Sequence, residues 1–363
     1  MGTGSYKASD WDNLKKSRKL STSDGAKKTF KNLGIKQSLD SRYIYCRESK
    51  DSTDSPNATP VIIGFDVTGS MDYLVHNIAT KSLNDTILKI LETKTITDPH
   101  IMCAAFTRTD MPLQVTQFEA DIRVVEQLLD FSIGGYNPSA ADNLLWYFAA
   151  YHTKTDSFTK RGKKGILIGI GDEKSNYKDN VLKKSDIKAA TSDEPDRKYT
   201  FSDLIRIADA MYELFHIVIG EDCRFDPQNS RESYSEWCEA LPGRVARIHA
   251  RDIEYLDSLI VSIIRLSQGE DRDIVLSSIE NTTARKVVEW GIEDMDFGPL
   301  NIETSKSYAR DSRKACKPGR PEREAAKQRV RERLAAEEKY EREMIRKHGA
   351  EMWARMKKEE EMR

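Results

Sequence analysis

The sequence predicts an α/β protein built on a doubly wound, mostly parallel sheet with helices on both faces. Apolar runs of strand length alternate with helix-period segments from residue 58 to about 270. Parallel strands need crossover connections, and the intervening helical segments supply them. Two of the apolar runs, Val61 to Asp66 and Gly165 to Glu173, end in carboxylates. In open sheets of this kind ligands bind beyond the carboxyl ends of the strands, so both acids are placed to face one crevice.

Before that domain lies a basic segment, residues 1 to 57, with twelve Lys and Arg against seven Asp and Glu. Lys15-Lys16-Ser17-Arg18-Lys19 and Lys27-Lys28 stand among Ser, Thr and Gly, and such a stretch buries too little to order itself. Trp11, Leu14, Phe30, Leu33 and Ile35 nevertheless offer apolar anchors, so a flexible arm and a docked one both stay open. Arg42 to Arg47 reads as a short edge strand or an approach to the domain, and Asp51 to Pro60 as a polar linker.

The domain itself, residues 58 to 270, follows in regular order. The strand Val61 to Asp66 leads to a helix over 72–93, where Leu74, Ile78, Leu83, Ile87 and Leu91 share a face. A strand is expected over 100–107, an apolar run over 112–118 and a helix over 120–129. Gly134-Gly135-Tyr136-Asn137-Pro138 marks a loop, and the aromatic-rich helix over 140–151 reads as buried. After the strand ending at Asp172 comes a polar excursion over 174–197. A helix over 201–212, a strand over 214–220, a helix over 230–240, a strand over 244–249 and a helix over 252–266 close the pattern.

One appended helix is expected over 271–292 within a segment reaching residue 304. Pro318-Gly319-Arg320-Pro321 should break any helix. From Glu322 a charged, helix-forming composition runs almost to Arg363, with Glu338–Arg342 and Glu343–Lys347 as i, i+4 pairs worth roughly 0.3 kcal/mol each. Val330, Leu334, Ile345, Met352 and Met356 form a thin stripe, compatible with an isolated helix or with self-association as a coiled coil. Residues 305 to 363 carry nineteen basic against twelve acidic residues, so the formal net charge of −1 conceals an acidic domain between two basic ends.

No apolar run approaches the roughly 20 residues of a membrane span. The N-terminus has no apolar signal core, and Tyr6 stands where a myristoylation signal needs Ser or Thr. Five scattered cysteines without a Cys-x-x-Cys pair read as free thiols in a reducing compartment. A cytoplasmic protein is the expectation.

Asp66, Thr68 and Ser70 alternate through the turn after the first strand, so their oxygens can converge on one point. One carboxylate and two hydroxyls suit a hard cation such as Mg2+, with Mn2+ or Ca2+ as substitutes. The competing reading is that the three merely cap the following helix, which leaves the second acid-ending strand at Asp172 unexplained.

The run Asp66-x-Thr68-x-Ser70 resembles the first loop of the metal-ion-dependent adhesion site in von Willebrand factor A domains. The resemblance covers roughly residues 58 to 268 and includes the Gly134-Gly135 loop and Gly171-Asp172-Glu173. It implies metal ligation by Ser70 and Thr68, with Asp66 and Asp172 as anionic ligands. In that family a Thr on the glycine loop completes the site; here Asn137 could offer a carbonyl and Ser139 a hydroxyl. Pro112 to Glu119, Trp146 to Ala150 and Arg161 to Gly165 resemble, more narrowly, von Willebrand A proteins of tailed phages and some bacteria. That group carries an acid in the middle loop, where this chain has Ala140. The resemblance implies binding of a protein partner whose carboxylate completes the metal shell, in a phage or bacterial assembly role, rather than turnover; the alternative is a structural or virion scaffold protein with a degenerate metal site.

Enzyme motifs are missing. The sequence has no Gly-x-x-x-x-Gly-Lys-Ser/Thr loop, Gly-x-Ser-x-Gly elbow or His-Glu-x-x-His pair, and haloacid dehalogenase-type phosphoryl transfer wants a second acid where Thr68 stands. A third class, nucleic-acid binding through the basic ends, rests on Gly319-Arg320-Pro321, which resembles an AT-hook core.

Overall fold

The computed structural model describes residues 8–18, 34–68, 71, 83–92, 96–132, 142–220, 227–300, 320–350 and 352. The strands are β1 (Arg47–Ser49), β2 (Thr59–Asp66), β3 (Pro99–Phe106), β4 (Gln114–Val115), β5 (Thr153–Thr155), β6 (Gly165–Gly171), β7 (Val181–Leu182), β8 (Tyr199–Thr200), β9 (Tyr212–Gly220) and β10 (Val245–His249). The helices are α1 (Ala8–Ser17), α2 (Leu83–Glu92), α3 (Arg123–Leu128), α4 (Asp142–Tyr151), α5 (Asp156–Arg161), α6 (Lys184–Ala190), α7 (Phe201–Asp209), α8 (Pro227–Ala240), α9 (Leu256–Ser267), α10 (Arg272–Ser277), α11 (Thr282–Gly291) and α12 (Arg320–His348).

The main sheet runs β10-β9-β6-β2-β3-β4, parallel throughout except for β4, which pairs antiparallel with β3. This is the α/β architecture expected of the alternating pattern. Strand order reverses between β2 and β6, which places the switch point of the sheet at their carboxyl ends. Both strands are buried along almost their whole length, as two-faced coverage demands.

Alternate residues of each strand feed two cores. Val61, Ile63 and Phe65 of β2 join Ile87 and Ile90 of α2 and the apolar stripe of α9, whereas Ile62 joins α4, α7 and Trp237 of α8. Gly64 has no side chain because Leu145 of α4 fills that space: a Cβ on Gly64 would stand 2.3 Å from the Leu145 Cδ2. Helix α4 is buried on every side from Asp142 to Ala150.

The described parts of the N-terminal segment lie on the domain. Leu14 of α1 is buried and Trp11 packs beside it on the α2–α9 side, with Arg18 paired to Asp130. Ser41 donates to the Ala190 carbonyl and Leu113 N–H donates to Ser41; β1 pairs with β5 in a small parallel ribbon. In the loop read as a linker, Asp51 binds Arg161 and accepts from Ala58 N–H.

Beyond residue 270 the single helix expected is two. Asp271 caps α10 and Asn281 caps α11, each side chain accepting two backbone N–H groups, and a cap of that kind inside a continuous helix would compete with its ladder. Val275, Val288 and Ile292 bury themselves in the α9 core. Helix α12 begins at Arg320, close to the expected start at Glu322, so Pro321 falls in its first turn, where a missing N–H costs nothing. Arg329 and Arg333 of α12 donate to the carbonyls of Ser192 and Thr191, and Glu337 accepts from the Tyr43 hydroxyl. Among the described residues no helix is long and apolar enough to cross a membrane.

Candidate metal centre

Asp66 ends β2 and Asp172 directly follows β6. The register pairs Phe65 with Ile170, so Asp66 stands beside Gly171 with Asp172 one residue further on. Gly171 is the contact point: a Cβ there would lie 3.3 Å from the Asp66 Cβ and 3.9 Å from Oδ2. The chain turns immediately after Asp66. Val67 N–H still bonds to the Phe106 carbonyl, Thr68 N–H donates to Asp66 Oδ1 at 2.7 Å, and the Thr68 hydroxyl donates to Oδ2 at 2.9 Å. Both side chains are essentially inaccessible. Ser70, Asn137 and Ser139 lie outside the described residues.

Asp142 lies two positions beyond Ala140, in the first turn of α4. It is buried, and its carboxyl feels the charges of Glu173 and Asp172. In sequence Asp142 reads as part of the helix, and its signal is an acid at the start of an otherwise apolar run.

Helix α8 holds the loop after β6. The Ser233 hydroxyl donates to the Asp172 carbonyl and Trp237 Nε1 donates to the Glu173 carbonyl, both at 3.1 Å. Glu236 accepts from Asn176 N–H. Asn143, next to Asp142, donates to Asn180 Oδ1 at 2.6 Å, so the loop is tied to α4 as well.

These carboxyls raise one another. Burial, then the charge of Asp172, push Asp66 well above the usual carboxylate range against the two hydrogen bonds from Thr68. Burial raises Asp142 to about 7, its own backbone hydrogen bond opposing and Glu173 and Asp172 adding to it. Glu173 is raised by burial and by Asp172. A cation among these groups would reverse the shifts, because it favours their charged forms.

The donor set is all oxygen, carboxylates with the Thr68 hydroxyl, which is the chemistry of Mg2+ or Ca2+ rather than of a thiolate- or imidazole-bound metal. Among the described residues no group of three or more His, Cys, Asp or Glu is disposed to hold a metal, so hydroxyl oxygens and water would have to complete the coordination. On those terms the residues fit a hard divalent ion.

No protein-family model matches the sequence, and no curated protein matches it. Among solved structures the chain is similar to a von Willebrand factor type A protein from Catenulispora acidiphila, at 16% sequence identity and a TM-score of 0.34. The match covers 59% of this chain and 44% of that one, so the chain spans less than half the length of that protein.

Proposed function

We propose that the chain is a von Willebrand A-type binding module that holds a divalent cation, Mg2+ in the first place, at the carboxyl ends of β2 and β6. Asp66 and Asp172 supply negative charge, the hydroxyls of Thr68 and Ser70 coordinate the ion, and Asp142 supplies the acid of the middle loop. The observation that carries this reading is the placement of Asp66 and Asp172 at the ends of neighbouring strands at the switch point of the sheet, with the buried Asp142 carboxyl near enough for its charge to raise Asp66. Mg2+ keeps open positions for outside ligands; here a carboxylate of a protein partner takes one of them. The output is binding, in a cytoplasmic assembly role, without turnover.

The test starts with the ion. Mn2+ titrated into the full chain and followed by electron paramagnetic resonance should show one bound ion, lost in Asp66→Ala; equal binding by both proteins, or none by the wild type, refutes the site. Partner capture with Mg2+, with chelator and with Asp66→Ala follows. Partners retained under all three conditions would sink the metal-bridged mode.

A further inference from the structure

Behind Asp142 the core holds a polar side chain that the metal centre as described does not use. His216, in the middle of β9, is 1% exposed. Its ring lies flat on the indole of Trp237, centroids 3.5 Å apart and planes 9° from parallel. Gly169 of β6 makes the room, since a Cβ there would stand 2.8 Å from His216 Nδ1. That nitrogen is 3.9 Å from Asp142 Oδ1. The gap is beyond hydrogen-bond reach, and among the described residues neither ring nitrogen nor Asp142 Oδ1 has a hydrogen-bond partner.

Both groups are buried, and burial favours the uncharged imidazole. An uncharged imidazole can still donate from Nδ1. Two buried, facing polar groups left unmatched are costly and call for a reason. The surroundings are stiff on the histidine side, because Trp237 is itself anchored to the Glu173 carbonyl.

We propose that His216 is a positioning residue for the cation site: its Nδ1–H donates a hydrogen bond to the Asp142 carboxylate when that group turns to meet the ion, fixing the oxygen that faces away from it. This rests on the cation-binding function proposed above. Trp237 then serves both acid-bearing loops at once, holding the β6 loop by its N–H and the α4 carboxyl through the stacked imidazole.

Mn2+ affinity of the full-length protein, measured by calorimetry, is compared with the melting temperature in chelator. His216→Leu should bind Mn2+ about 10- to 100-fold more weakly, the usual loss on removing a ligand's supporting partner. Its melting temperature without metal should hold or rise, because unmatched nitrogens leave an apolar pocket. His216→Asn places an amide N–H near Nδ1 and should restore affinity, whereas His216→Gln, reaching further, should not. Wild-type affinity in His216→Leu, or equal affinities in the Asn and Gln variants, overturns the proposal; should His216→Leu not fold, the Asn and Gln comparison decides. If the wild type binds Mn2+ and the variants match it, only the role of His216 falls. If the wild type binds none, the function proposed above fails and this inference with it.

Discussion

Replacing Asp193 by Asn should destabilise the domain only within a defined pH window. Asp193 Oδ2 accepts from the Tyr147 hydroxyl at 2.6 Å and lies 3.0 Å from His152 Nε2, while His152 Nδ1 is 2.9 Å from the Tyr45 carbonyl. Burial alone would raise Asp193, but the charge and hydrogen bond of His152, with the Tyr147 hydroxyl, bring it down to about 2. Burial alone would lower His152; the charge of Asp193 and hydrogen bonds to it and to the Tyr45 and Ile44 carbonyls hold it above its ordinary value instead. A depressed acid stabilises the fold above its unfolded pKa of 3.8 and loses that contribution as pH falls toward 2. A raised histidine stabilises below its unfolded value of 6.5 and loses the contribution as pH climbs through the folded one. The pair therefore contributes most between about pH 4 and 6.5. A displacement of the acid by nearly two pH units corresponds to roughly 2 kcal/mol, or about 4–8 °C of melting temperature for a domain of this size. Urea unfolding of wild type and Asp193→Asn at pH 5.5 and again near pH 2.5 measures it. A deficit of the same size at both pH values would show that the ionised pair is not its source.

Two further outcomes follow from the same structure. In chelator the wild type should lose stability between pH 5 and 7, by up to about 3 kcal/mol, because Asp142 ionises near 7 folded but near 3.8 unfolded; Asp142→Asn should flatten that slope, and unchanged slopes in urea titrations would contradict it. Gly64→Ala should cost about 1–3 kcal/mol by overpacking against Leu145, and thermal unfolding of a variant as stable as wild type would refute that packing.

The sheet was legible because apolar runs and their acidic ends are local signals: Val61 to Asp66 and Gly165 to Asp172 announce a strand and the acid that ends it. What escaped was set by tertiary contact. His216 sits in a run of strand residues and reads as one more core position; only the absence of side chains at Gly169 and the stack on Trp237 mark it. Asp142 was overlooked because helix composition hid a first-turn acid. The division into α10 and α11 lay in Asp271 and Asn281, two caps whose meaning depends on which helix they start. The short helix α5 and the docking of α12 on the Thr191 and Ser192 carbonyls have no periodic signature at all.

The adjacency of Asp66 and Asp172 bears on when the site can exist. Roughly a hundred residues separate them in the chain, and β6 must be laid against β2 before the two carboxyls meet. Closing such a span is a slow, entropically expensive event compared with local helix formation. During synthesis the nascent chain can therefore offer no complete cation site until the residues beyond β6 have left the ribosome. A cation bound between the two carboxyls, as proposed above, would therefore report a chain whose central sheet has already assembled.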